Sequence, residues 1–575
     1  MPIDGKISAF TTRFRWLALA VLITATLQAV IIGRAYSIHV DGLTFIGIAQ
    51  DFQRDPIGTM RVKDQHPGYP ALVLAAASLA RPCVHLSEPD LWTLATRVAS
   101  GTCGILSVIV CWLFARRLFD DQVANITALS FAVLPLFRLI AADALSDTQH
   151  LLLYLLAAWL AAEGFARDQI RWFAAAGAAS GAAFWVRPEG LEVALITGVL
   201  LACQMLLQRR LRAGVALVAV GAAAMIVIAP YIVLAGKITS KQLPWAKRQA
   251  VPVFVVTESQ AAQREAQKGA PASAPLVAAP AAVSQRVAAR VALKAAITFI
   301  KNIVWGFRFV FLPLYLIGNW ELYRRRPAWW VVLLPACLGA LHIAVLFGVY
   351  FISGYIDQRH VMPIVALGLP FAALGSIYVA EKLTALLTPR FSNRTVLATV
   401  VALSCAIVVP RDLVPMNPEL QAVFVAAHWI RDQLRPGDAV ISNSPYVAFY
   451  GDMPGAELTP ETPTLESALA RTQIGPNVEF AVLDLQINGF RPEWRTQIER
   501  DYREVFRLQD PRSDSDEIKL LVYRARHNVD PAVGSAEPAD ADTAGGDPID
   551  GKPAIGNPAA SAVPHMTATE QAGKL

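Results

Sequence analysis

An aspartate, Asp41, stands directly after the first long apolar stretch of this chain, in the segment HVDGLTFIGIAQDFQRDPIGTMRVKDQHPGYP. A carboxylate at the rim of a hydrocarbon layer costs a few kcal/mol unless it is solvated or put to use. Other ionisable residues hold comparable places beside later apolar runs. They are Asp64 and His66 ahead of Pro67, Asp143 and Asp147 in ADALSDTQH, Arg187 and Glu189 in FWVRPEGL, and Asp357, Arg359 and His360 in GYIDQRHVMP. Carboxylates and arginines at one membrane edge suit glycosyl transfer from a lipid phosphate. A carboxylate near the acceptor takes its proton as the acceptor attacks the anomeric carbon. The departing phosphate gathers negative charge, which the planar fork of an arginine neutralises. On this reading Asp41 is the base, and Arg359 or Arg187 holds the phosphate. The donor arrives dissolved in the membrane, so no nucleotide-binding motif is needed.

These residues must be carried by a membrane scaffold. Of 575 residues, 55% are hydrophobic and only 17% are charged, where a soluble protein carries about 25% charged residues. Apolar runs of about 20 residues, the length that crosses a hydrocarbon core, recur from Trp16 to Pro410. The basic residues Lys6, Arg13 and Arg15 precede a first run too long for a signal-peptide core, which reads as a retained span. The pI near 9.0 reflects basic loops, and nucleic acid is not an expected partner. The cysteines (83, 103, 111, 203, 337 and 405) lie in or beside apolar runs without metal-ligand spacing, and read as small buried hydrophobes.

The expected spans are 14–34, 94–115, 121–139, 147–164, 171–187, 189–208, 213–235, 300–321, 328–351, 360–380 and 395–410. The run 67–85 has an unbroken apolar stretch of only about 14 residues, which suits a helix at the membrane surface. With a cytoplasmic N-terminus and 67–85 not crossing, Arg116/Arg117, Arg167/Arg171, Arg209/Arg210/Arg212, Arg324/Arg325/Arg326 and Lys382/Arg390/Arg394 all fall inside. If 67–85 crossed, every one of those clusters would flip outward. The parity therefore gives about eleven spans, a first external loop over 35–93, a second over 236–299, and a transmembrane domain over 1–410. All the ionisable residues named above then lie on the external face. Arg286, Arg290 and Lys294 share a helix face before a span, as a solvated stripe or a contact for lipid phosphates.

After Pro410 the pattern changes to that of a small α/β domain over 411–526, which the same parity places on the external, periplasmic side. LQAVFVAAHWIRDQL has helical periodicity, while GDAVISNSPYVAFYG, EFAVLDLQI and EIKLLVYRA read as strand-bearing stretches. Residues 527–575 are rich in Ala, Pro, Gly and Asp and are expected to be a disordered tail.

The order DGLTFIGIAQDF, QHPGYPALV, LIAADALSDTQHLLLYLL, FWVRPEGL, DQRHVMP resembles the membrane-embedded C-type glycosyltransferases. Within them it is similar to glycosyltransferase family 39, with its protein O-mannosyltransferases and lipid A aminoarabinose transferases. The resemblance covers residues 14 to about 410. It implies an α-helical polytopic fold with a juxtamembrane helix and a polyprenyl-phosphate sugar donor. The acceptor would be a lipid, glycan or protein in a bacterial inner membrane facing the periplasm. It implies Asp41 as the catalytic carboxylate. A second acid often follows directly in the family, but Gly42 stands here; a related group has Glu where Gln65 stands, which leaves Asp64 as its stand-in. The family's HPP-like turn corresponds to His66, its later acid to Asp143 or Asp147, and its RP and R-x-x-x-P elements to Arg187 and Arg359. The phosphate-binding set is then Arg359, Arg187 and His66, supported by Asp143, Asp147, Glu189 and His360. No cofactor is required, and the acidic residues permit a divalent metal without demanding one.

Each residue also has a plainer reading: Asp41 as a helix cap, His66 as part of a turn, Asp143 and Asp147 as loop and cap residues, and Arg187–Glu189 or Asp357–Arg359 as local ion pairs. The rival class is a transporter or flippase for a lipid-linked saccharide, which should show internal repeats, broken helices and midplane charges.

Overall fold

The computed structural model describes residues 3–239, 281–387, 391–435, 437–459, 464, 466–468, 478–485, 490–509 and 518–526. The middle of the 236–299 loop and the 527–575 tail lie outside the described residues. The chain forms two compact units. The first runs to Met416 without Leu86–Asp90, and the second takes Leu86–Asp90 and the chain from Asn417.

The first unit is helical. Helix α1 (Ile3–Arg34) is followed by three short helices, α2 (Val40–Arg54), α3 (Pro56–Val62) and α4 (Gly68–Ala80). Then come α5 (Glu88–Leu118), α6 (Asp121–Val133), α7 (Pro135–Ala142), α8 (Ser146–Arg167), α9 (Ile170–Phe184), α10 (Glu192–Gln208) and α11 (Leu211–Ala235). After the undescribed segment follow α12 (Ala281–Gly306), α13 (Phe311–Arg325), α14 (Trp329–Ser353), α15 (Met362–Leu387) and α16 (Asn393–Val408). Eight described helical segments are long and apolar enough to cross a membrane, and ten if each of two bent pairs counts as one span. This is a multi-span membrane protein. Helix α4 spans 13 residues, about 20 Å, which accords with a surface helix.

Three of the expected spans differ in form. The run 171–187 yields α9, whose 15 residues extend about 22 Å; it falls outside the eight. The run 121–139 breaks at Leu134, where α6 and α7 meet at 48°. Pro135 supplies no N–H and forces the residue before it out of helical geometry, and Leu134 has ψ 118°. The run 300–321 is split between α12 and α13, which meet at 93°. Arg308 and Phe309 form the corner with φ of 51° and 57°, a left-handed conformation that side chains disfavour.

The α6–α7 break is held by a buried ion pair. The Arg138 guanidinium donates to the carbonyls of Ala132 and Val133, which end α6, and pairs with Asp412. Both side chains are essentially inaccessible. Elsewhere, glycines let backbones meet. Gly177 and Gly181 on α9 face the Val220 and Ala224 carbonyls of α11, and a Cβ at either would lie within 3.0 Å of them. Gly318 on α13 and Gly375 on α15 face each other in the same way, with Leu314 and Phe371 carbonyls where a Cβ would fall. Small residues at crossings are how membrane helices pack without a hydrophobic driving force. Helix α15 is the hub, with 89% of its most apolar window buried. Cys103 and Cys111 are buried, whereas Cys83 and Cys203 are exposed, so burial does not hold for all the cysteines.

The second unit contains α17 (Gln421–Arg431), β1 (Ala439–Ser442), α18 (Pro445–Tyr450), β2 (Gly455–Glu457), β3 (Val478–Asp484), α19 (Pro492–Asp501), β4 (Tyr502–Gln509) and β5 (Ile518–Ala525). The sheet order is β2-β1-β3-β5-β4, with β1 parallel to β2 and β3, and β5 antiparallel to β3 and β4. One face packs Ile441, Leu483, Leu521 and Tyr523 against Trp494 and Ile498 of α19. Strand β4 was not expected, because YREVFRLQ carries charges at positions that a buried strand would fill with apolar residues.

The close approach of α13 and α15 makes a prediction. Gly375→Leu forces a side chain into backbone, and overpacking costs about 1–3 kcal/mol or more. A clearly lowered melting temperature in detergent, followed by intrinsic fluorescence, is expected; an unchanged one would contradict the crossing.

Candidate active site

Helix ends bring the site together. Asp41 lies in the first turn of α2, where a carboxylate favours the helix dipole. It is not the cap: His39 takes that role, its Nδ1 accepting from the Asp41 N–H at 3.1 Å. The Asp41 side chain is therefore free to face outward, and its Oδ2 accepts from Arg359 Nη1 at 2.6 Å. Arg359 sits in a one-turn 3-10 helix, Gln358–Val361, that leads into α15. That turn is closed by a capping box, with the Asp357 carboxylate on the Gln358 N–H at 2.5 Å and His360 Nδ1 accepting from the Asp357 N–H at 3.0 Å.

A second ion pair lies beside the first. Asp147, in the first turn of α8, pairs with Arg187, and Glu189 lies 3.6 Å from the same guanidinium. Arg187 is extended because Pro188 follows it. Its own carbonyl accepts from the Gly190 N–H at 2.9 Å. Gly190 must be glycine, since a Cβ there would strike the Ala183 backbone at 2.4 Å. Asp147, Arg187, Glu189, Arg359 and His360 line one small, partly open cavity.

The cavity also shows residues that the edge-by-edge reading passed over. His150 lines it, one turn beyond Asp147 and therefore on the same helix face. His342, inside α14, places Nδ1 at 2.9 Å from Glu192 Oε2 and donates from Nε2 to the His360 carbonyl at 2.9 Å. Tyr154 donates to the same Glu192 oxygen at 3.3 Å. Both nitrogens of His342 thus face acceptors, so one proton is shared between this ring and Glu192 as an ionic or a neutral pair. The signal was available: a Glu and a His inside apolar runs need a partner in a hydrocarbon setting.

Several expected site residues are placed elsewhere. His66 is buried, with its ring stacked on Tyr231 at 5.1 Å and edge-on to Phe184, and its Nε2 bonds Thr239 at 3.0 Å. It does not line this cavity. Asp64 is exposed on the loop before α4 and is likewise absent from the lining. Asp143 caps α7, and its backbone carbonyl accepts from the His39 N–H at 3.3 Å; Asp147 is the member of that pair in the site. Gly42 also has a physical reason. A Cβ there would lie 3.4 Å from the carbonyl oxygens of Asp143 and Ala144, a setting that repels a carboxylate. Among the described residues no three His, Cys, Asp or Glu side chains gather as metal ligands.

Known proteins resemble this chain in sequence pattern and in fold. Residues 90–234 match the family model for dolichyl-phosphate-mannose-protein mannosyltransferase. ArnT from Cupriavidus metallidurans in the apo state is similar in structure, with TM-score 0.53 and 14% identity over 90% of this chain and 98% of that one. The same protein bound to undecaprenyl phosphate gives 0.54 and 13% over 88% and 98%. The archaeal oligosaccharyltransferase AglB from Archaeoglobus fulgidus, in complex with an inhibitory peptide and a dolichol-phosphate, gives 0.50 and 13% over 90% and 75%. No curated protein matches by sequence. The chain has the fold of the membrane-embedded C-type glycosyltransferases.

The Glu192–His342 contact yields a prediction. Truncating His342 to Ala strands Glu192 in the helical unit, and breaking a buried pair costs about 3–5 kcal/mol. Thermal unfolding should show a large loss for His342→Ala and recovery of most of it in Glu192→Leu/His342→Leu. Equal melting of the single variant and the wild type would contradict the pair.

Proposed function

We propose that this protein is an integral-membrane glycosyltransferase that takes a sugar from a polyprenyl-phosphate donor. The acceptor is a lipid, glycan or protein at the external face of a bacterial inner membrane. The observation that carries this reading is the pairing of an accessible carboxylate, Asp41, with a mostly enclosed arginine, Arg359, which lines a cavity that also holds Arg187. Asp41 accepts the acceptor's proton as its oxygen or nitrogen attacks the anomeric carbon. The bond from that carbon to the phosphate oxygen breaks, and the electron pair leaves with the polyprenyl phosphate, with inversion at carbon. Arg359 and Arg187 neutralise the leaving group. Asp147 and Glu189 hold Arg187 in place, and His342 with Glu192 fixes the turn that carries Arg359 and His360.

The structural neighbours support a lipid-phosphate donor, since one holds undecaprenyl phosphate and another a dolichol-phosphate. The residue parity supports the external side. The chain ends that meet in the site are separated by pairs of crossings, with α5 and the bent α6–α7 between Asp41 and Asp147, and α8 and α9 between Asp147 and Arg187. On this parity the arginine clusters of the other loops share the opposite, cytoplasmic side with the N-terminus.

The test is turnover by the full-length protein in lipid nanodiscs supplied with radiolabelled polyprenyl-phosphate sugars and a membrane extract as acceptor. Free polyprenyl phosphate should accumulate with transfer of label. Asp41→Asn should lower the rate by about 10²–10⁴-fold, the usual contribution of a general base, at an unchanged melting temperature. Undiminished turnover in that variant would remove Asp41 as the base. Movement of intact lipid-linked saccharide across the membrane, with no bond broken, would favour a flippase instead.

A further inference from the structure

The two roles assigned above draw on one contact, because the Asp41 carboxylate and the donor phosphate are both anions that seek the Arg359 guanidinium. Asp41 Oδ2 holds Arg359 Nη1 at 2.6 Å, a single bond that leaves the fork further N–H donors. A phosphate gripping that fork brings a second anion against the carboxylate, and the two repel. We propose that the donor phosphate resolves this by exchange: it displaces Asp41 from Arg359, and by doing so releases the base. This rests on the glycosyltransferase reading and adds an order to it, donor before acceptor activation.

The geometry favours this direction of exchange. Arg359 is the fixed partner. Its side chain is 11% exposed, against 43% for Asp41. Its turn is closed by the Asp357 capping box and is tied to α14 through the His342–His360 contact. Asp41 is the partner that can turn away into solvent at little desolvation cost, while its helix stays anchored by the His39 cap. The guanidinium also has capacity in reserve. Arg359 Nε is buried without a hydrogen-bond partner among the described residues, and Asp357 lies 3.9 Å from it. The carboxylate therefore holds the fork through one nitrogen only. A phosphate can take two N–H groups at once, and bidentate charge-assisted bonds are stronger and better oriented than single ones. Asp147 also faces Arg359 electrostatically, so the guanidinium remains compensated while Asp41 departs. No covalent step is involved in the exchange. The proton that Asp41 later accepts comes from the acceptor, which meets a carboxylate freed of its arginine only after the donor has docked.

The discriminating experiment is equilibrium binding, independent of turnover. Undecaprenyl phosphate is titrated into the full-length protein in nanodiscs, with intrinsic tryptophan fluorescence or thermophoresis as readout. Removing the competing carboxylate should tighten binding: Asp41→Asn and Asp41→Ser should each bind about tenfold more tightly than wild type. Arg359→Gln should weaken binding at least as much, and adding Asp41→Asn to it should give no further gain. Asp357→Asn removes a neighbouring charge without removing a bond to Arg359 and should change affinity by less than about threefold. Unchanged or weaker binding by both Asp41 variants overturns the exchange. So does a gain of equal size from Asp357→Asn, which would mark general electrostatics, or a gain that persists without Arg359. Saturable wild-type binding combined with any of those results leaves the glycosyltransferase reading standing. Absence of saturable binding in the wild type overturns both.

Discussion

An arginine held at the rim of a membrane protein must meet carboxylates, and this requirement determines which helix ends converge. Arg359 precedes α15 and finds Asp41 at the start of α2; Arg187 precedes α10 and finds Asp147 at the start of α8. The four residues are far apart in sequence, so the ion pairs are tertiary constraints. Every helix between them must return the chain to the same end of the unit. Helix α9 does so with only 15 residues, and its close glycine contacts with α11 show how so short a helix is kept in place. The breaks at Leu134 and at Arg308–Phe309 are the other accommodations, the first sealed by the Arg138–Asp412 pair.

The residues at the edges of apolar runs were legible because hydrocarbon tolerates ionisable side chains only under constraint. That argument located Asp41, Asp147, Arg187, Glu189, Arg359 and His360, which the structure places together. It failed where position along the chain resembled the pattern but packing decided otherwise. His66 looks like its neighbours in sequence, yet Tyr231 and Phe184 enclose its ring. Asp143 and Asp147 are separated by one turn of loop, and only the second points into the cavity. Glu192 and His342 were overlooked because each lies inside a run that was read for its apolar residues. The breaks were hidden for a related reason. Pro135 is visible in sequence, but many membrane helices tolerate proline, and nothing local marks Arg308 as a corner. In the second unit, the strands flanked by apolar residues were plain and the charged edge strand Tyr502–Gln509 was not.

The site combines two kinds of ion pair. Arg187 with Asp147 and Glu189 is enclosed on both sides and serves as a fixed wall. Arg359 with Asp41 is enclosed on one side only, which leaves the carboxylate free to change partners. A fixed cation beside an exchangeable pair suits transfer from a lipid phosphate: one charge stays in place for the leaving group, and a carboxylate already open to solvent stands beside it. Gly42 fits the same picture, since carbonyl oxygens stand where a second acid would reach.

The most direct measurement is a structure of the full-length protein with undecaprenyl phosphate bound, at a resolution that shows the phosphate. The account predicts phosphate oxygens within hydrogen-bond distance of Arg359, with Asp41 turned away from it and facing the open side of the cavity. A phosphate seated elsewhere, with Asp41 still on Arg359, would contradict it.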